Sequence, residues 1–377
     1  MFKALIAYRV AQQFVPDFTL IEEALAKTPF LPIGATQETS IGWAPPRGEE
    51  HGALVEAADG QWVMKFQSES KTIPASVLNR KVQEKADAIE KEFGRKPGKK
   101  EKKDLKDEAK LDLLPVAFTK IAATWVWYDP QAGMLYIDCG SQSRADVVVS
   151  LLVESIKGFG VSLLDTQTSA TAAMAHWLIS QEPPAGFSID RHVKLEAADE
   201  SKARINYSRH ALDIEEIKAH VEHGKLPTEL AMTWDDRVSF ILTDDLQIKK
   251  IEFTDGVLDN AGEKGGFDTD VAIATGELRK MIPDLIEALG GEGRREIGGQ
   301  ASEGGESDEG AAPARGKASL VEEVANHLKA RGVTFTRNVG ISSLGITAGG
   351  VTRTLVMTGS KQAPADSSPD SAPFDTE

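Results

Sequence analysis

Apolar and polar positions alternate loosely over residues 2–10 (FKALIAYRV) and 60–70 (GQWVMKFQSES), which predicts two strands. Between them Asp17 stands where an N-cap would open a short helix to about Lys27, and the run 30–48, punctuated by Pro and Gly, reads as loop. From Pro74 the period changes to that of a helix. Val77, Leu78, Val82, Ala86 and Ile89 make one narrow stripe, and Leu105, Ala109 and Leu113 make another. GRKPG separates the two arms and Pro115 ends the second. Stripes this narrow let two helices pack on each other but cannot sink them into a large core. A helical hairpin over 74–114 that projects from the body is therefore expected.

Strand patterning returns at 124–140, TWVWYDPQAGMLYIDCG, a hairpin turning at DPQAG. Ser143 would cap a helix through Lys157, with Gly158 at its far end, and Ser169–Ser180 reads as a further helix. Residues 203–212 read as a strand. DIEE (213–216) is a capping box for a helix ending near Gly224. TELAMTW, RVSFILT and LQIKKIEF follow as a three-stranded meander, and VAIATGEL and RKMIPDLIEALGG read as a strand and then a helix. The class is α+β with mainly antiparallel sheets. The expected division is a central α+β domain (1–73 and 115–180), the hairpin as a tip (74–114) and a base α+β domain (181–297). Beyond these the composition shifts: 298–316 has the makeup of a disordered linker, and 317–377 forms an appendix. A helix at 318–331, two or three strands in 332–359 and a frayed end from Lys361 are expected there.

The formal net charge is −15 over 377 residues, with 41% hydrophobic and 27% charged positions, as in an ordinary globular protein. No apolar run approaches the roughly eighteen residues that span a bilayer. Arg9 interrupts the opening apolar stretch and no small-residue cleavage site follows, so that stretch reads as a strand rather than a signal peptide. The single cysteine, Cys139, excludes an intrachain disulfide, and a cytoplasmic location is expected. The acidic total argues only weakly against a nucleic-acid partner, because the charge is unevenly spread. Residues 71–110 hold thirteen Lys and Arg against eight Asp and Glu.

Catalytic signatures are missing: no GxxxxGK[ST], GxSxG, HExxH or paired CxxC occurs. His220 and His223, three apart, suit a helix C-terminus better than a metal. The doublets Asp235–Asp236 and Asp244–Asp245 fall where the meander must turn. Cys139 has no identifiable His partner, and the strand tryptophans suit core packing better than base stacking. No enzyme activity, cofactor or metal is expected. What remains is a recurrence of cations on apolar strands: Arg204 and Arg209, Lys225, Arg237, Lys249 and Lys250, with Arg9 and Lys120 beside other strands. On a sheet with one buried face, the outward cations share the other face, an arrangement suited to sequence-independent phosphate contact. A plain solvated face is the alternative.

Several segments carry a resemblance over residues 1 to about 293: AYR (7–9), FLPIGATQETSIGWAPP (30–46), LLPVAFTK (113–120), WYDPQAGMLYIDC (127–139), EEIKAHVEHGKLPTELAMTWDDRVSF (215–240), LQIKKIEF (246–253) and TGEL…LIEALGGE (275–292). In their order and spacing the chain resembles the recombination-associated RdgC family. That resemblance implies a ring-shaped homodimer with an opening for duplex DNA, binding without sequence specificity, association with the nucleoid and restraint of RecA-promoted strand exchange. It makes Arg9, Lys120, Arg209, Lys225, Arg237, Lys249 and Lys250 candidates for the lining, with Lys99, Lys100, Lys102 and Lys103 at the tip. Phe118 is the candidate for the contact between hairpins, with core packing as its other reading. The alternatives are a module acting directly on RecA or another recombination factor, and a metal-dependent nuclease using the Asp doublets. The tail beyond 298 lies outside the resemblance.

Overall fold

The computed structural model describes residues 1–199, 201–209, 214–258 and 266–293, and the strand backbone at 334–338, 342–348 and 351–357. In chain order the elements begin β1 (Ala4–Val10), α1 (Phe18–Leu25), β2 (Thr39–Ala44), β3 (Val55–Ala58), β4 (Gln61–Thr72), α2 (Ala75–Phe93), α3 (Lys99–Leu113), β5 (Phe118–Asp129), β6 (Met134–Ile137), α4 (Gln142–Ser155), β7 (Val161–Leu163) and α5 (Ala170–Ser180). They continue with β8 (Phe187–Ala197), β9 (Arg204–Ser208), α6 (Ile214–Glu222), β10 (Lys225–Trp234), β11 (Val238–Thr243), β12 (Ile248–Phe253), α7 (Asp255–Leu258), α8 (Phe267–Ala288), β13 (Thr334–Asn338), β14 (Ser342–Ala348) and β15 (Val351–Met357). The class is α+β with a large antiparallel sheet. No helix among the described residues is long and apolar enough to cross a membrane.

Contacts divide the chain into two compact units. The first comprises Met1–Ala170, Pro183–Asp190 and Leu230–Ile297. Its strands run in the order β2-β4-β5-β6-β1-β12-β11, each neighbour antiparallel, with β3 on β4 and β7 on β1. One face carries Ile6, Tyr8, Trp43, Phe66, Val126 and Tyr128, covered by Ile21 and Leu25 of α1 and Val148 and Leu152 of α4. On the other face Val63 and Trp125 pack on Val271 and Phe267 of α8. The expectation of one buried and one solvated face is thus corrected: helices lie on both faces, so a strand's outward residues need not meet water. Across β4 and β5 the pairing runs unbroken from Trp62↔Tyr128 to Thr72↔Phe118, a ribbon that continues past β6 toward α2 and α3.

The second unit holds Thr171–Glu182, Arg191–Glu229 and the three C-terminal strands. Here β8 pairs antiparallel with β9 from His192↔Ser208 to Glu196↔Arg204, with the start of β10 on its other side. The appendix strands form their own antiparallel sheet in the order β13-β14-β15. The expected linker at 298–316 and helix at 318–331 lie outside the described residues.

Local signals account for most of these elements. Asp17 caps α1, its carboxylate accepting the Leu20 N–H at 3.1 Å. Gly94, at φ +69°, ends α2 in the left-handed conformation that only glycine adopts cheaply. One expected strand fails, and one strand was not expected. VAIATGEL is no strand: it is the middle of α8, where Val271, Ala274, Thr275, Leu278, Met281 and Leu285 are buried at helical spacing. Its β-branched residues imitated a strand because a short apolar run does not reveal its period. Strand β8 alternates apolar residues at Phe187, Ile189, Val193, Leu195 and Ala197, a pattern that Arg191 interrupts.

Candidate nucleic-acid interface

The candidate cations divide by whether a carboxylate already holds them. Arg9 lies on β1, on the face opposite Ile6 and Tyr8, and Glu292 grips its guanidinium; the Nε–Oε2 distance is 3.2 Å, and the Ala132 and Gly133 carbonyls accept its Nη1. Arg237 donates from Nε and Nη2 to the two oxygens of Glu277, both at 2.6 Å. That fork-to-fork pair raises the guanidinium above its usual range and holds the buried Glu277 carboxyl below the usual carboxylate range. Both arginines are in effect neutralised within the first unit.

Others carry uncompensated charge. Lys249 of β12 stands opposite Ala4 of β1, on the face that bears Ile6, and its stem passes near Gly140. One residue later the ladder breaks: Ser239 pairs with Glu252 but Ile241 with Lys249, so Lys250 and Ile251 together oppose Phe240. Lys250 takes φ +51° at this bulge and is exposed. The Ile251 N–H donates to the Lys3 carbonyl at 3.0 Å, and the Asp138 carboxylate, which accepts the Lys3 N–H at 2.9 Å, offsets the charge of Lys3. On β5, Lys120 pairs with Ser70 and is exposed. Lys120, Lys249 and Lys250 have no ion-pair partner among the described residues.

At the start of α3 lysines 99, 100 and 102 occupy the first turn, where the helix dipole disfavours positive charge, and Lys103 follows in the second. Glu101 is spent locally: it accepts from Arg95 at 2.8 and 3.0 Å and from the Gly98 N–H at 3.1 Å, which holds its carboxyl below the ordinary range. The lysines are exposed and unpaired among the described residues. Behind them α2 and α3 pack through Ala86, Leu105 and Ala109, and Lys85 reaches Glu108 and Asp112, each at 2.8 Å.

In the second unit Arg209 follows β9 with φ +56°, and its N–H donates to the Arg191 carbonyl at 2.8 Å. Both side chains are exposed and neither has an ion-pair partner among the described residues. Like charges facing across a ladder cost stability. Arg191 escaped the sequence reading because β8 did; the Val193–Leu195–Ala197 alternation was the signal that could have found it. Arg204, by contrast, is paired with Glu196 at 2.8 Å. Lys225 opens β10 and lies 3.5 Å from Nδ1 of His220.

The remaining candidates resolve into structure. His223 bonds the Ala219 carbonyl. Asp235 and Asp236, at φ +47° and +51°, form the turn between β10 and β11. Cys139 is buried, and burial pushes its thiol up, away from nucleophilic character. Trp43 and Trp127 are buried, and Trp234 donates to Asp284 at 2.8 Å. Among the described residues no group of three or more His, Cys, Asp or Glu is placed to hold a metal ion. Phe118 is 87% exposed, which removes the core reading, and Val116, Ile121 and Leu111 are exposed in the same stretch.

Fold and site together define an α+β protein with an extended antiparallel sheet and several groups of unneutralised cations. The chain belongs to the RdgC family. The family model described as "Putative exonuclease, RdgC" matches residues 1–292. A protein of Dechloromonas aromatica named recombination-associated protein RdgC is 42% identical over 300 residues, covering 77% of this chain and 98% of that one. Relatives of the same name from Herminiimonas arsenicoxydans and Bordetella pertussis are 40% and 37% identical, covering 77% and 78% of this chain and 98% and 99% of their own.

Proposed function

We propose that the protein binds duplex DNA without regard to sequence, as a closed homodimer, and restrains RecA-promoted strand exchange by occupying the duplex. The observation that carries this reading is the placement of cations where folding alone disfavours them: Lys99, Lys100 and Lys102 at the positive end of α3, and Arg191 beside Arg209. A fold gains nothing from such like-charge neighbours, whereas a polyanion is drawn to them. In this reading α2 and α3 form a projecting tip, and Phe118, with Val116 and Ile121, meets its counterpart on the second copy. The base contributes Arg209, Arg191 and Lys225, and the central sheet Lys120, Lys249 and Lys250. Arg9 and Arg237, already held by glutamates, contribute less. A two-fold axis doubles every patch around one opening, so an acidic chain presents a positive inner wall. Nucleoid association follows from the same contact.

Binding proceeds without turnover here, although the family description carries the word exonuclease. Duplex of random sequence, titrated at 50 and 200 mM salt, is expected to lose about 10³- to 10⁵-fold in affinity if six to ten phosphates are engaged. Equal affinity at both concentrations rejects the phosphate mechanism. Release of acid-soluble nucleotides with Mg²⁺ rejects the absence of catalysis.

A further inference from the structure

In the second unit the corner between α6 and β10 sets one titratable ring between two opposite charges. Gly224, at φ +85°, turns the chain after α6, its N–H donating to the Val221 carbonyl at 3.0 Å, and β10 opens at once with Lys225. That turn brings the Lys225 ammonium 3.5 Å from Nδ1 of the half-buried His220. Nε2 of the same ring faces the Glu216 carboxylate, one helical turn earlier, at 3.8 Å. Tyr207 of β9 stands on a further side, its ring centroid 6.5 Å from the imidazole. On α6 itself His223 follows three residues on, its own ring held by the Ala219 carbonyl. The backbone of β15 also comes against α6, and Arg353 is the charged residue of that strand. An ammonium has three donors and no acceptor, so the imidazole nitrogen that meets it is the bare one, and the ring proton sits on Nε2 toward Glu216. Neutral His220 thus holds Lys225, which has no carboxylate partner among the described residues. Protonation reverses the contact. An imidazolium 3.5 Å from an ammonium repels it, and Glu216 lies on the far side of the ring. An anion that touches both cations relieves that repulsion, and a backbone phosphate has the oxygens to do so.

We propose that His220 is a proton-linked phosphate contact: neutral, it holds Lys225 in place, and protonated, it joins Lys225 on one backbone phosphate of the duplex. This rests on the reading that Lys225 meets DNA. The linkage fixes the sign: if binding takes up a proton at His220, affinity rises as pH falls. The test titrates the full-length protein with duplex of random sequence at pH 8 and pH 6, each at 50 and 200 mM salt, by fluorescence anisotropy. The gain in affinity from pH 8 to pH 6 should be about fivefold larger in the wild type than in His220→Gln. The salt slope should steepen by about 0.9, one phosphate contact, between the two pH values in the wild type only. His220→Arg, a fixed cation, should lose that extra gain and show the steeper slope already at pH 8. Each readout compares two pH values within one variant, so a residue that only supports the fold leaves it unmoved. Equal pH gains in wild type and His220→Gln overturn this inference and leave the DNA reading standing, whereas no binding at either pH overturns both. Should His220→Gln melt early, His220→Arg decides alone, and a pH gain equal to that of the wild type overturns the proposal.

Discussion

Each candidate cation is worth what its neighbours leave of it. Lys249 and Lys250 adjoin on β12, but a bulge, not simple alternation, sets their directions, and neither meets a carboxylate among the described residues. Replacing both with Glu is expected to weaken duplexes of every sequence alike and to lower the salt slope by about one per lost phosphate contact, read by fluorescence anisotropy. A loss confined to some sequences points to base readout instead. Glu277 offers a different test. Arg237 holds its carboxyl below the ordinary value, so the folded protein binds that proton less readily than the unfolded chain. The stabilisation is complete above the unfolded carboxyl value of about 4.3 and fades as pH falls through the depressed folded value. The melting temperature should therefore drop between pH 5 and pH 3 more steeply in the wild type than in Glu277→Gln. Identical profiles mean that the pair does not set acid stability.

At the scale of elements, α2 and α3 stand on little apolar surface, with Ala86, Leu105 and Ala109 their only buried residues. The rest of their exchange is charge on charge, from Lys85 to Glu108 and Asp112. Such a pair opens more easily than the core sheet. Leu105→Asp removes its largest buried side chain and places a charge in the seam, a change worth about 2–5 kcal/mol locally. Amide exchange should then lose protection across α2 and α3 while the amides of β1, β5 and β6 keep theirs. Uniform loss throughout the chain shows instead that the pair folds as part of the body. The same elements show how far the sequence could be read. Their caps, breaks and stripes are local, and both helices are legible to within a residue. In α8 the deciding contacts came from Val63 and Trp125, far away in the chain, and a window of eight residues could not see them.

For the whole molecule, the proposed ring rests on association of two copies around duplex. Sedimentation of the protein with nicked circular DNA should show a dimer alone and a retained complex that dissociates when the DNA is made linear. A monomer at micromolar concentration, or equal release from circle and line, argues against encirclement. Phe118, exposed beside Val116 and Ile121, supplies apolar surface for one of the two contacts, and Phe118→Glu is the variant that separates ring closure from DNA contact.

The sequence by itself determined the α+β class, the paired charged helices, the meander with its aspartate turns, and the concentration of lysine near residue 100, because each is written in near-neighbour periodicity and turn chemistry. It could not determine which cations remain free. That depended on where Glu292 and Glu277 arrive, 283 and 40 positions from the arginines they bind, and on a one-residue bulge that re-aims Lys250. Electrostatic pairing acts through a few ångströms of space whatever the distance along the chain, so only the tertiary structure could settle it.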